Sequence, residues 1–164
     1  MANELLTELK QTKPYTSMAQ EAHISIALTA ARLGHAFEET LKPFGITATQ
    51  YNVLRILRGS GSEGLCRNEI RSRMVTSVPD VTRLLDRLQE LDLVTRERGV
   101  SDRRHMTTRI TKEGLTLLDR VDQPVIDSHE RLIGHLDGRE LKTLLGLLAK
   151  VRRQRGVRPP GPGR

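Results

Sequence analysis

Seven apolar residues, Met18, Ala22, Ile26, Ala30, Leu33, Phe37 and Leu41, follow one another at spacings of four, four, four, three, four and four. Only an α-helix brings such positions onto one face, so the stretch predicts a helix of about six or seven turns. The Lys-Pro-Phe-Gly run at 42–45 ends it. Ala19, Ala27 and Ala31 set small side chains beside the stripe, which widens the apolar face and permits close approach of another helix. A face this long calls for a second helix, from this chain or from another.

The rest of the chain divides into shorter pieces. Thr47 and Gln50 stand where a capping box needs a hydroxyl and an amide, with Tyr51, Leu54 and Leu57 following as the apolar side of a helix that Gly-Ser-Gly-Ser-Glu-Gly closes. Residues 65–74 predict a short helix with Leu65, Ile70 and Met74 on its apolar side. The most regular pattern starts at Ser77, taken as N-cap, with Pro79 in the first turn and Asp80 at the positive helix end. Val81, Leu84, Leu85, Leu88 and Leu91 form its inner face, and Pro79, Thr82, Arg83, Asp86, Arg87 and Glu90 its polar outer face. Residues 94–98 and 105–110 predict two strands around a turn that begins at Gly99, with Met106, Thr108 and Ile110 alternating against His105, Thr107 and Arg109. Thr111 caps a further helix that Pro124 should kink or interrupt. Asp137 and Glu140 cap the last one, which carries Leu141, Leu144, Leu145, Leu148 and Val151 along one side.

Composition narrows the function classes. The net charge is +7, yet residues 150–164 alone contribute +6, leaving +1 on the first 149. A nucleic-acid reading must therefore rest on where individual arginines sit rather than on bulk charge. Two Tyr, two Phe and no Trp argue against single-strand binding by base stacking. The single cysteine, Cys66, excludes an intramolecular disulfide, and the first residues lack the apolar run of a secretory signal, so a soluble cytoplasmic protein is expected. No apolar run approaches the roughly 20 residues of a membrane span. The five histidines show no close metal-ligand spacing, and neither a nucleophile motif nor a Gly-rich phosphate loop is present, so no metal, no cofactor and no enzymatic activity are expected.

The order of elements predicts a mainly α fold with a small β-hairpin wing: a winged helix-turn-helix flanked by long helices at both ends. One domain is expected over 1–155, with the lobe at about 47–111, flanking helices at about 14–43 and 112–155, and a disordered basic tail at 156–164. A helix with a polar outer face fits the major groove, and a hairpin tip reaches the adjacent minor groove or backbone. Candidate DNA contacts are Ser77, Pro79, Thr82, Arg83 and Arg87 on the helix, with Arg96, Asp102, Arg103 and Arg104 on the hairpin. Asp102 lies two residues before Arg104, so its carboxylate can brace the guanidinium for a narrow, negative minor groove; the competing reading is a solvated surface pair. Arg103 points the other way, towards phosphate or solvent. Arg96, at the strand base, can instead tie the wing to the helices. The alternative function is a winged-helix protein-interaction module that binds no DNA, favoured by the near-neutral first 149 residues.

The stretch from Val81 to Gly114 resembles the multiple-antibiotic-resistance regulator (MarR) family of bacterial transcription factors. Leu93, Val94 and Arg96 match its Leu-Val-x-Arg strand, Asp102 and Arg104 its Asp-x-Arg wing, and Thr111 and Gly114 the Leu-Thr-x-x-Gly that opens the next helix. Asp92 stands where the pattern has Gly, and Ile110 where it has Leu; Asp tolerates a left-handed backbone better than most residues. The resemblance implies a homodimer assembled by the first and last helices on a double-stranded, pseudo-palindromic operator. It also implies repression relieved by a small, anionic or phenolic effector or by cysteine oxidation, although Cys66 does not match the family's usual redox position. By analogy of position, His35, Phe37, Tyr51 and Arg55 are the candidate lining of an effector pocket between the flanking helices and the lobe.

Overall fold

Side-chain caps fix where most of the helices begin. The computed structural model describes residues 4–98 and 106–154. A short α1 (Glu4–Glu8), which no sequence pattern predicts, precedes α2 (Met18–Leu41), whose N-cap Ser17 accepts from the Gln20 N–H at 3.2 Å. In α3 (Ala48–Gly59) the capping box forms as expected, with Gln50 N–H donating to Thr47 Oγ1 at 3.2 Å and Thr47 N–H to Gln50 Oε1 at 2.9 Å. Thr111 caps α6 (Lys112–Ile133), and Asp137 with Glu140 boxes the start of α7 (Gly138–Arg152). Pro124 does not interrupt α6: the helix runs through it, omitting the one hydrogen bond that needs a proline N–H.

Two boundaries differ from the sequence reading. Leu65 and Cys66 do not open a helix; they form β1 (Leu65–Cys66), and α4 (Arg67–Arg73) starts only after it. The expected two-stranded wing is therefore a three-stranded antiparallel sheet in the order β1-β3-β2, with β2 (Val94–Arg98) and β3 (Met106–Ile110) in the register Val94↔Ile110 to Arg98↔Met106. Gly64, at φ +69°, makes this third strand possible. A Cβ there would lie 2.6 Å from the Thr108 carbonyl oxygen.

The second difference is the start of α5 (Val81–Glu90), which is capped by Asp80, whose Oδ1 accepts from Arg83 N–H at 2.9 Å. Ser77 and Pro79 consequently lie in the loop before the helix. The physical reason is Pro79 itself: its ring disfavours the helical conformation in Val78, so a helix cannot easily run from Ser77 through it.

At its other end α5 closes with a Schellman arrangement. Leu93 N–H donates to the Leu88 carbonyl at 3.0 Å and Asp92 N–H to the Gln89 carbonyl at 2.9 Å, with Asp92 left-handed at φ 57°. Thr111 then locks α6 onto this corner, its hydroxyl donating to the Asp92 carbonyl at 2.7 Å and its N–H to the Leu93 carbonyl at 3.1 Å. Gly114 is required by the same packing, because a Cβ would sit 2.4 Å from the Leu93 oxygen. One core runs through the lobe, with Leu54, Leu57, Ile70, Leu85, Leu88 and Val94 buried beside Leu118 and Val121 of α6.

Candidate nucleic-acid interface

Helix α5 is divided sharply between two faces. Val81, Leu85 and Leu88 are buried, whereas Arg83, Asp86, Arg87, Gln89 and Glu90 are exposed. Burying one side against the core holds the other rigidly outward, which is what insertion into a groove needs. The preceding turn is pinned to α3, since Asn52 Oδ1 accepts from the Val75 N–H at 3.0 Å. Arg67, at the start of α4, donates to Thr82 Oγ1 at 3.2 Å and joins the leading ends of the two helices.

The helix candidates occupy different settings. Ser77 and Pro79 are exposed in the turn, next to Val75, which is 83% exposed. Thr82 is half-buried and already accepts from Arg67. Arg87 pairs with Glu90 at 2.9 Å across an exposed surface, a contact of the kind worth under about 1 kcal/mol. Arg83, by contrast, has no side-chain hydrogen bond or ion pair among the described residues, although it lies in the first turn of α5. Its guanidinium thus has no partner among the described residues, at a helix end whose N–H groups the Asp80 carboxylate already caps.

The hairpin candidates separate as well. Arg96 has a side chain only 13% exposed and pairs with Asp86 of α5, and its Nε is buried without a partner. Arg96 therefore ties β2 to α5, the alternative role the sequence allowed it, with its guanidinium enclosed and its charge matched by Asp86. Arg109 braces the other side of the sheet, donating from Nε to the Ser62 carbonyl and from Nη1 to Glu97, both at 2.8 Å. Asp102, Arg103 and Arg104 lie outside the described residues, as does His105.

The four effector candidates are only partly brought together. Phe37 and Tyr51 meet edge to face at 5.6 Å, and Arg55 donates to the Tyr51 hydroxyl at 3.0 Å. His35 is exposed on α2. A residue absent from the sequence expectation, His129 of α6, stacks on Phe37 at 5.7 Å. The two border an apolar cleft of about 290 Å³ with Leu33, Leu132 and Ile133. His129 lies 92 positions from Phe37, and no local signal joins them. Among the described residues no cluster of His, Cys, Asp or Glu could hold a metal ion, and no helix is long and apolar enough to cross a membrane.

A second feature escaped the sequence reading. Arg58, in the last turn of α3, forms a two-pronged bond to Asp122 of α6 at 2.8 and 2.9 Å. This bond holds the Asp122 carboxyl below the ordinary aspartate range and raises Arg58, in each case against partial burial. The pair joins the lobe to a flanking helix.

Comparison with known proteins agrees with this geometry. A sequence model of the MarR family matches residues 44–105, from just after α2 to just before β3. The chain is 33% identical over 114 residues to the multiple antibiotic resistance protein MarR of Salmonella typhimurium, covering 68% of this chain and 76% of that protein. It is 29% identical over 140 residues to the HTH-type transcriptional regulator FarR of Neisseria gonorrhoeae, covering 82% and 94%. Among solved structures, a mutant MarR from E. coli complexed with operator DNA superposes with a TM-score of 0.73 at 27% identity, covering 83% of this chain and 99% of that one.

Proposed function

The chain belongs to the MarR family and is a DNA-binding transcriptional regulator, and we propose that it acts as a homodimeric repressor on a pseudo-palindromic operator. In this reading α5 enters the major groove and the tip of the β2–β3 hairpin, with Asp102 and Arg104, probes the minor groove. The observation that carries it is the outward face of α5, where Arg83 has no side-chain partner among the described residues and Val81, Leu85 and Leu88 are buried behind it. Two copies would present their α5 helices about one helical turn of duplex apart, roughly 34–36 Å. Pairing through about 14–43 and 112–155 is supported by exposed apolar side chains there, among them Met18, Ile26, Ile126, Leu145 and Leu147. A regulator of transcription meets its operator in the cytoplasm, and no step of this action calls for an enzymatic group.

Ser77, Pro79, Thr82, Arg83 and Arg87 would supply the groove and phosphate contacts, and Arg103 an outer phosphate contact. A small anionic or phenolic effector, held near Phe37, Tyr51 and Arg55, would release DNA if it bound a different lobe spacing better. Titration of labelled duplex checks the reading. Arg83→Ala and Arg104→Ala are each expected to cost about 1–3 kcal/mol of binding while leaving the oligomer intact. Binding should also fall steeply with salt, as counterion release demands. Salt-independent binding, or none, would favour the protein-interaction module instead.

A further inference from the structure

The lobe and the flanking helix α6 touch through two kinds of contact. Apolar side chains of α3 and α6, Leu54 and Leu57 against Leu118, Val121 and Val125, share one core. Such contacts are non-directional: they resist separation but resist sliding or rotation of one helix over the other much less. At the edge of this core lies the directional contact. Arg58 grips both oxygens of Asp122, its Nη1 is also 3.7 Å from Asp119, and Arg55 is 3.9 Å from Asp122 while donating to Tyr51. A planar guanidinium met by both carboxylate oxygens restricts the relative orientation of the two helices more than a point charge would. Because α3 also holds the turn before α5 through Asn52 and shares its core with Leu85 and Leu88, the angle set at Arg58 is passed on to the DNA-facing helix.

We propose that Arg58 and Asp122 are a positioning pair that fixes the angle between the DNA-reading lobe and its flanking helix, and thereby selects the half-site spacing the dimer accepts. Neither side chain touches DNA. The inference rests on the dimeric DNA-binding reading above. Moving one half-site by one base pair displaces it about 3.4 Å along the duplex and roughly a tenth of a turn around it. A lobe held at one angle rejects that duplex, and a lobe free to turn does not.

The test uses the full chain and an operator obtained by selecting a random-sequence duplex library with the wild type. Affinities are then measured for that operator and for duplexes with one base pair added to or removed from its centre. The wild type should discriminate strongly between them. In Arg58→Gln the ratio should fall several-fold towards one, and Arg58→Lys, which keeps charge but loses the fork, should fall between. Val53→Ala, a core change away from the pair, should lower Tm while leaving the ratio at the wild-type value. A wild-type ratio in Arg58→Gln, or an equal loss of ratio in Val53→Ala, overturns the inference. Should Arg58→Gln fail to fold, Arg58→Lys and Asp122→Asn decide by the same ratio. Failure of the wild type to bind any duplex overturns the proposed function, and this inference with it.

Discussion

The lobe and the arms of this chain are finished to different degrees. Across residues 46–94 the apolar faces of α3, α4 and α5 are enclosed within the single chain, with Leu54, Leu57, Ile70 and Leu88 fully buried. In α7 no residue is buried, and α2 buries only its last, Leu41. Yet α7 carries Leu144, Leu145, Leu147 and Val151 at 38–63% exposure, and Met18 in α2 stands 87% exposed. Isolated exposed leucines are ordinary, but a helix that leaves most of its apolar side chains exposed, with only Leu141, Leu148 and Ala149 half-buried, is not. The lobe thus shares one enclosed core with α6, whereas α7 and most of α2 leave apolar side chains uncovered, which a second copy would cover in the dimeric reading proposed above.

The harshest way to break that comparison is to charge the arms. Leu144→Asp with Leu147→Asp should convert the dimer to monomer in light scattering coupled to size exclusion. Operator affinity should drop by about 10²–10⁴ through loss of the second half-site. The lobe's near-native unfolding transition should survive. A double variant that stays dimeric would place the interface elsewhere, and one that unfolds completely would show that the lobe leans on the arms.

A core change in the lobe sharpens the same contrast from the other side. Leu88→Ala removes a fully buried side chain of α5 and should cost about 2–5 kcal/mol in denaturant unfolding, with the subunit association constant unchanged. If association weakens in step, the two regions fold as one cooperative unit and the division drawn here is too sharp.

The contrast also governs what was legible in the residues. Elements marked by local chemistry were readable: Thr47 with Gln50, Thr111, and Asp137 with Glu140 each signal a helix start within four residues of chain, and the wing strands showed their alternation. What escaped depends on distant partners. β1 is two residues long and exists only because Thr107 and Thr108 pair with it. The Arg58–Asp122 link spans 64 positions, and the stacking of His129 on Phe37 spans 92. Ser77 was misread for a local reason, since two good capping residues, Ser77 and Asp80, flank Pro79 and only the second leaves Val78 free of the helix. For the candidate site, residue type and helical face separated Arg83 from the core, but only packing could show that Arg96 is enclosed against Asp86.

The smallest expected effect lies at the corner where the lobe hands the chain to the arm. Asp92 holds a left-handed conformation at φ 57° in the position where a Schellman turn favours glycine. An L-residue there carries a steric cost that glycine avoids, while glycine gives part of the gain back through its larger freedom in the unfolded chain. Asp92→Gly should therefore stabilise the lobe by about 0.5–1 kcal/mol, a rise in Tm of roughly 1–4 °C. The hydrogen bonds at this corner all use its backbone, including the carbonyl that receives the Thr111 hydroxyl, so the substitution leaves them intact. The gain should appear in thermal unfolding with dimer dissociation unmoved, because the strain belongs to the lobe. A loss of stability would mean that the Asp92 carboxylate contributes something the backbone bonds do not explain.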